Sequence, residues 1–513
     1  MSQFNLLDEP WIPVRFVDGQ RKELGIRDVF LRSKDVSAIE DPSPLVVAAL
    51  HRLLLAILYR ALEGPTEIAQ AKALFRDGIP APRIEEYLGK WSARFWLFDE
   101  KYPFYQVAGY VPREKKGQRE WKAWPVLAAE HNADNAKVLF DHVEIAAAGS
   151  IPSRVAAKWL IACQTFALGG GNSDFGYTKG APSATSVMAL PLGIHLHDTL
   201  LIALVPENRE VLAKDRPIWE QEPISIASLE SGRARPPLGI ADLYTWLTRS
   251  IKLNPEGVGA NVSELAFASG VACISEGVID PMLSYRIDEA KGKLPLRFGE
   301  RGLWRQFDSL LPDASDLAPR VISHAAALTR ESSERAARSV MVLGQANDKA
   351  KIEYWRMERF ALPGGLGGDR NIRQEIRTLL ADAEDAQHSL WAACRSFARD
   401  LLGRGERDPA PKDVISFMEQ MSVNRSYWSI LESRFHEVLR NYTVHRDSED
   451  IQWDWLKSVR DAISTAWEQH RVSVATGDAW SIRALVKAEG FVVRELRDLN
   501  ARIEKLAPAR ESR

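Results

Sequence analysis

Ala361-Leu-Pro-Gly-Gly-Leu-Gly-Gly-Asp-Arg370 divides this chain of 513 residues. A proline and four glycines within ten residues sustain neither helix nor strand, so the stretch predicts a turn or hinge. Beyond it, Ile372, Ile376, Leu379, Ala383, Ala386, Leu390, Ala393, Phe397 and Leu401 recur at steps of three and four, the apolar stripe of a long helix. Gly403, Gly405, Pro409 and Pro411 close that helix. A second is expected from about Pro411 to Arg440, with Val414, Met418, Met421, Trp428, Leu431, Phe435 and Val438 facing inward. A third covers roughly Ser448 to His470 through Leu456, Val459 and Ile463. The fourth carries Ile482, Leu485, Val492, Leu496, Leu499, Ile503 and Leu506. Four long amphipathic helices with connections of moderate length predict an antiparallel four-helix bundle over 371–513.

Before the hinge the texture is mixed. Short alternating or β-rich pieces, Trp11 to Phe16, Arg94 to Phe98, Ser186 to Leu192 and Thr199 to Val205, are interleaved with helical stretches near 44–62, 66–76 and 153–168. The expected class is therefore α+β: an irregular mixed α/β body over residues 1–360, the Pro/Gly hinge at 361–370, then the bundle. A chain of this length exceeds one core and divides into domains.

Composition narrows the function. The formal net charge is -2, so DNA binding would need local patches or charge lent by partners. Cys163, Cys273 and Cys394 form no CxxC pair and suit buried thiols of a reducing compartment. The opening residues lack the apolar core of a secretory signal. The most apolar stretch, Pro44 to Leu62, contains His51, Arg52 and Arg60 and reads as a buried helix. The expectation is a cytoplasmic protein with no membrane partner.

The common catalytic signatures are absent: there is no GxxxxGK[ST] phosphate loop, no HExxH and no GxSxG. His195 and His197 are expected on one strand face, either as a metal pair or as a solvated edge. No catalytic residue, metal site or cofactor is expected. An enzymatic alternative stands beside the binding one: a metal-dependent nuclease or other hydrolase acting on nucleic acid. Chelator-sensitive cleavage of labelled DNA with Mg²⁺ or Mn²⁺ discriminates it. A structural scaffold, the third option, predicts no motif-dependent DNA contact.

Three segments look specialised. In Leu168-Gly-Gly-Gly-Asn-Ser-Asp-Phe-Gly-Tyr-Thr-Lys-Gly180, consecutive glycines let backbone amides approach a phosphate or a groove floor; a helix stop with a tight turn is the other reading. In Pro112 to Lys122, the cations Arg113, Lys115, Lys116, Arg119 and Lys122 stand beside Trp121 and Trp124, as in a phosphate-contacting loop or a solvated one balanced by Glu114 and Glu120. Gly344 to Phe360 begins as a small polar turn and becomes strongly charged before the hinge.

Phe4-Asn-Leu-Leu-Asp-Glu-Pro-Trp-Ile-Pro-Val14 and Phe95-Trp-Leu-Phe-Asp-Glu-Lys-Tyr-Pro-Phe-Tyr-Gln106, followed by the triple glycine, Asp280-Pro-Met-Leu-Ser-Tyr-Arg286 and Lys349-Ala-Lys-Ile-Glu-Tyr-Trp-Arg356, resemble in that order the CasA family. CasA is the large subunit of the type I-E CRISPR Cascade complex. The resemblance covers nearly the whole chain. It implies a non-catalytic subunit of an RNA-guided antiviral complex, with double-stranded DNA, crRNA-containing Cascade subunits and a helicase-nuclease as partners. It also implies recognition of the protospacer-adjacent motif from the minor groove, opening of the duplex into an R-loop, and help from the bundle in holding the displaced strand. Protein reads a short motif while base pairing reads the rest, as in Cas9-type effectors.

The same resemblance places the family's glycine loop on Gly169, Gly170 and Gly171, with Asn172 beside it. It places the recognition loop at Asn135 to His142, including Leu139, Phe140 and Asp141. The family's Gln-Ala wedge falls on Lys349-Ala350, with lysine in place of glutamine, or on Gln345-Ala346. The family's minor-groove lysine has no match within Ala266 to Glu276, and the cysteine zinc cluster of some members has none either. On the bundle, Arg373, Arg377, Arg395, Arg399, Arg434, Arg440, Arg494, Arg497 and Arg502 lie off the apolar stripes, either as a track for single-stranded DNA or as solvated charge.

Overall fold

In a computed structural model of the chain, the described residues are 4–115, 117–128, 149–232, 234–257, 260–274, 279–299, 302–312, 315–329, 335, 337–348, 351–363, 370–444, 446–474 and 478–507. Two units emerge, one of residues 1–300 and 309–359, the other of Arg301–Asp308 with Phe360–Arg513.

The first unit opens with β1 (Ile12–Phe16), paired antiparallel with β2 (Arg21–Leu24) and β3 (Val36–Ile39), with α1 (Ile26–Leu31) intervening. Ile12, Val14 and Phe16 of β1 are buried while Arg15 is exposed, the period-two pattern of a half-buried strand. Next come α2 (Pro44–Leu62), α3 (Ile68–Asp77) and α4 (Ala81–Trp91). The Ser43 hydroxyl caps α2 by accepting from the Val46 amide at 3.3 Å, and Pro44 sits in the first turn. This helix is long and apolar enough to cross a bilayer, yet it is the buried core helix of its unit, as the sequence predicts. Its buried Arg52 meets Asp280 at 2.6 Å and lies 4.2 Å from the centre of the Tyr244 ring, so the charge is compensated where it is buried.

The hairpin β4 (Glu114–Lys115) and β5 (Gln118–Arg119) precedes β6 (Lys122–Ala123), α5 (Ser153–Phe166), the hairpin β7 (Asn172–Ser173) and β8 (Gly176–Tyr177), and β9 (Met188–Leu192). Then follow α6 (Leu196–Ala203), α7 (Arg209–Lys214), α8 (Ile226–Glu230), β10 (Ala234–Arg235) and α9 (Ile240–Tyr244). The chain continues through β11 (Arg249–Glu256), β12 (Asn261–Ser269), β13 (Ala272–Cys273), β14 (Tyr285–Asp288), β15 (Gly292–Pro295) and α10 (Arg320–Thr329). It reaches β16 (Ser339–Asp348) and β17 (Lys351–Ala361). Two three-stranded sheets, β11-β12-β6 and β17-β16-β9, frame the glycine-rich segment.

Two sequence expectations fail here. Thr199 to Val205 is not a strand; residues 199–203 belong to α6, where every residue from Leu196 to Ala203 is buried. The run Thr199-Leu-Leu-Ile-Ala203 is almost wholly apolar and too short to show a period, so nothing in that pattern separates a buried helix from a strand. His195 and His197 accordingly share no strand face: His195 caps α6 and His197 lies in its first turn. Arg94 to Phe98 is a 3₁₀ turn (Ser92–Arg94) followed by a single bridge from Trp96 to Asn5.

The second unit holds α11 (Arg370–Gly403), α12 (Pro411–Gln420), α13 (Val423–Thr443), α14 (Ser448–Val474) and α15 (Ala479–Leu506). Arg502 to Asp382 (2.6 Å), Ser389 to Glu495 (2.6 Å) and Lys487 to Asp400 (2.7 Å) show that α11 and α15 run antiparallel. The helix expected across 411–440 breaks at Met421-Ser422, and the turn puts Tyr427, not Trp428, fully inside. Tyr427 then donates to the Ala383 carbonyl at 2.8 Å.

Residues 302–308, which the sequence reading assigns to the body, group with these helices. Trp304 is 2% exposed, its ring centre 5.4 Å from that of Phe435 and 5.5 Å from that of Trp428. Phe307 lies 5.3 Å from Phe360 and 5.4 Å from Phe435. Arg305 binds Glu384 at 2.6 Å and lies over Trp428 at 3.6 Å.

Candidate nucleic-acid interface

After α5 the three glycines enter the β7–β8 hairpin instead of merely stopping the helix. The Gly170 amide donates to the Thr178 carbonyl at 2.9 Å and the Thr178 amide to the Gly171 carbonyl at 3.0 Å. Each glycine answers a different need. A Cβ on Gly169 would lie 2.7 Å from the Gly180 nitrogen, so that position is closed by the protein's own backbone. Gly170 and Gly171 have φ of 139° and 72°, values that side chains rarely adopt. Gly171 faces open space, and it is exposed together with Asn172.

Three anchors fix this hairpin. Arg249 is 2% exposed and donates to the Lys179 carbonyl at 2.7 Å and to the Leu168 carbonyl, tying both ends of the loop. Among the described residues no carboxylate pairs with it, and burial pulls its pKa down to about 10. Ser269, at the end of β12, accepts and donates around Ser173 (2.9 Å), Thr178 (3.1 Å) and the Gly176 carbonyl (3.0 Å). Gln345 donates through Nε2 to the carbonyls of Phe166 (2.6 Å) and Ala184 (2.7 Å), holding the end of α5.

That last contact corrects the second wedge candidate. Gln345 and Ala346 are buried within β16, at 0% and 2% exposure, and form no hairpin tip. The preceding Gly344 is there because a Cβ would meet the Ser186 carbonyl oxygen at 2.1 Å, a close approach and not a turn. Lys349 and Ala350, between the ends of β16 and β17, lie outside the described residues, as do Asn135, Leu139, Phe140, Asp141 and His142.

The basic segment meets the glycine hairpin through Asp174. Its carboxylate accepts from the Tyr110 hydroxyl at 3.0 Å and from the Arg113 amide at 2.8 Å. The Phe175 ring sits 5.0 Å from that of Tyr110. Arg113 therefore adjoins Asp174 and Phe175, its guanidinium 5.9 Å from the Phe175 ring centre, although it pairs with Glu230 at 2.7 Å; Lys122 pairs with Glu120. These pairs are exposed, and such pairs contribute little and exchange readily. The Lys115 side chain and Lys116 lie outside the described residues. On the bundle, Arg399, Arg434 and Arg502 are engaged with Asp408, Glu437 and Asp382.

Sequence reasoning missed Arg249, Asp174 and two neighbours on the hairpin. Tyr177 is 59% exposed, with the Lys179 ammonium 5.2 Å from its ring centre. Their quoted segment names them, but only the hairpin register, Asn172 opposite Tyr177, brings them to the open edge. Among the described residues no group of three or more His, Cys, Asp or Glu side chains is placed to hold a metal ion.

Fold and site together define a two-unit α+β protein that presents an open-backbone hairpin beside a basic one. The family model described as CRISPR-associated protein Cse1 matches residues 5–466, and the chain belongs to that family, the Cse1 or CasA proteins. A CRISPR-associated CasA/Cse1 protein of Thermus thermophilus is 33% identical over 516 residues, covering 98% of this chain and 99% of the relative. The solved structure of Thermus thermophilus CasA superposes with a TM-score of 0.84 at 33% identity, over 97% of this chain and 100% of that one. A chain of a CRISPR RNA-guided surveillance complex shares the fold, with a TM-score of 0.74 at 19% identity, over 97% and 100% of the two chains.

Proposed function

We propose that this chain is the DNA-recognising large subunit of a type I-E Cascade surveillance complex. In this reading the edge Gly171-Asn172 enters the minor groove at the protospacer-adjacent motif. That groove is about 6 Å wide and offers a degenerate pattern, which suits a side-chain-free backbone and a permissive motif. Lys349-Ala350 then enters the first base step so that the crRNA can pair with one strand. The helical unit helps hold the displaced strand and recruits the helicase-nuclease, which does the cutting. DNA as the target places the work in the cytoplasm.

The observation that supports this reading most is the Gly171-Asn172 edge, open to solvent and rooted on the cation Arg249, with which no carboxylate among the described residues pairs. A fixed positive charge beneath an exposed backbone edge favours an approaching phosphate chain. With a formal net charge of -2, the chain alone should bind DNA weakly and acquire affinity inside the complex.

The test uses the reconstituted complex with Gly171→Asn. Asparagine tolerates the left-handed backbone, so the change adds bulk without unfolding the loop. Motif-dependent duplex binding should drop by tenfold or more, roughly the cost of one lost base-edge contact. Unchanged binding would remove the groove role. Lys349→Glu should leave motif binding intact and slow strand separation; unaltered strand separation would remove the wedge role.

A further inference from the structure

The β7–β8 hairpin is pinned along its inner face, at its turn and at its base. Ser173 and Thr178 meet Ser269 at 2.9 and 3.1 Å on the inner face. Asp174 and Phe175 hold the turn against Tyr110, and Arg249 ties the base through the Leu168 and Lys179 carbonyls. Side chains alternate between the two faces of a strand, and residues paired across a hairpin share one face. With Ser173 and Thr178 turned inward, the pair Asn172 and Tyr177 takes the outward face.

Lys179, two residues beyond Tyr177, returns to that face and sets its ammonium 5.2 Å from the Tyr177 ring centre. Both side chains are exposed. Among the described residues no carboxylate pairs with Lys179 and no acceptor takes the Tyr177 hydroxyl. An ammonium and a phenol O–H side by side are donors that complement an acceptor-only group. Lys and Tyr are both among the side chains that bind DNA phosphates and so set a protein's register on the duplex. The ring contact also restrains the lysine chain, so less rotamer entropy is lost when an anion arrives.

We propose that Tyr177 and Lys179 form a clamp on the phosphate backbone beside the motif, which fixes how the Gly171-Asn172 edge sits in the groove. This rests on the groove reading above. Distance supports the placement: Cβ atoms paired across a hairpin stand about 5 Å apart, whereas the minor groove is only about 6 Å wide. An edge entering the groove at Asn172 therefore carries Tyr177 to the sugar-phosphate wall. The clamp carries no sequence information and acts on whichever phosphates flank the motif.

The experiment measures duplex affinity of the reconstituted complex against salt, with Lys179→Gln, Tyr177→Phe and Gly171→Asn. Neither clamp variant removes an anchor of the hairpin, so their urea midpoints should match the parent. Lys179→Gln should weaken binding about three- to tenfold and flatten the slope of log K against log salt by about 0.9, the mark of one phosphate lost. Tyr177→Phe should weaken binding about two- to fivefold, the worth of one hydrogen bond, and leave the slope alone. On duplexes carrying a single neutral methylphosphonate, scanned across the phosphates beside the motif, one position should make Lys179→Gln cost nothing further. A slope unchanged by Lys179→Gln while Gly171→Asn still weakens binding overturns the clamp and leaves the groove reading standing; no effect of either variant removes both. Lys179→Gln that loosens the chain from the complex, with the salt slope intact, assigns the ammonium to a protein carboxylate and also overturns the clamp.

Discussion

Gly169 and Gly180 pass so closely that a methyl group on Gly169 would sit 2.7 Å from the Gly180 nitrogen. Backbone cannot retreat there as a flexible side chain would. Gly169→Ala should therefore destabilise the isolated chain by about 3 kcal/mol, the upper range for overpacking. Gly171→Ala, strained only by its φ of 72°, should cost roughly 1 kcal/mol. Urea midpoints of the two variants check the order. Loss of DNA binding by Gly169→Ala would thus report a damaged loop, whereas loss by Gly171→Asn would report a blocked groove contact.

Arg249 predicts a second stability effect. Arg249→Met removes the donors to the Leu168 and Lys179 carbonyls and should cost about 1–3 kcal/mol, since two partly buried acceptors lose a charged donor. Amide exchange at Gly170 and Thr178, the rungs between those two ends, should accelerate at least tenfold more than exchange in α2.

His51 and His324 set an acid limit on the α/β unit. Each is buried, bonds a backbone carbonyl at 2.8 Å, and has its pKa lowered by burial from 6.5 to about 4. Folded, they stay neutral where the unfolded chain takes up protons, so stability falls as pH drops from 6.5 towards 4 and this contribution levels off below. At about 1.4 kcal/mol per pH unit, each can account for about 3 kcal/mol of that loss. Urea midpoints at pH 7 and 4.5 should differ more in the parent than in a His51→Gln, His324→Gln double variant.

Much of the architecture was readable from periodicity. The stripe through Ile376, Leu379, Ala383, Ala386, Leu390, Ala393 and Phe397 is buried as its spacing demands. The break at Met421-Ser422 was not readable, since neither glycine nor proline marks it, and the slip it introduces exchanged Trp428 for Tyr427. Gly344 misled for a related reason: a glycine that admits a neighbouring carbonyl looks, in sequence, like one that turns the chain. The glycine run and basic segment were visible as motifs. Their union through Asp174 depends on contacts more than sixty residues apart in the chain, which no local pattern encodes.

Exposed ion pairs beside the hairpin give a salt-dependence prediction. Glu230→Gln frees Arg113 and Glu120→Gln frees Lys122. If these cations reach phosphate in the assembled complex, the double variant should bind duplex more tightly and steepen the slope of log K against log salt by up to about 2. Arg119→Ala should flatten it by about 1. Fluorescence titrations from low to high salt provide the slopes.

Trp304 lends its bulk to the helical unit from outside that unit's main run of sequence. Trp304→Ala should cost about 3–5 kcal/mol, as for other large aromatics fully enclosed. The near-ultraviolet dichroism contributed by Trp428 and Trp455 should weaken along with it.

That borrowed segment also decides how the molecule can be cut. A fragment severed at the Pro/Gly decapeptide would keep α11 to α15 and still lack the plug that Trp304 and Phe307 supply, leaving an apolar trough lined by Trp428, Phe435 and Trp455. Such a trough invites aggregation of the severed piece, and it equally invites rescue by a short synthetic peptide carrying residues 302–308. Residues 302–308 supplied in trans should then raise the urea midpoint of the severed helical half, because Trp304 and Phe307 would again cover Trp428, Phe435 and Trp455.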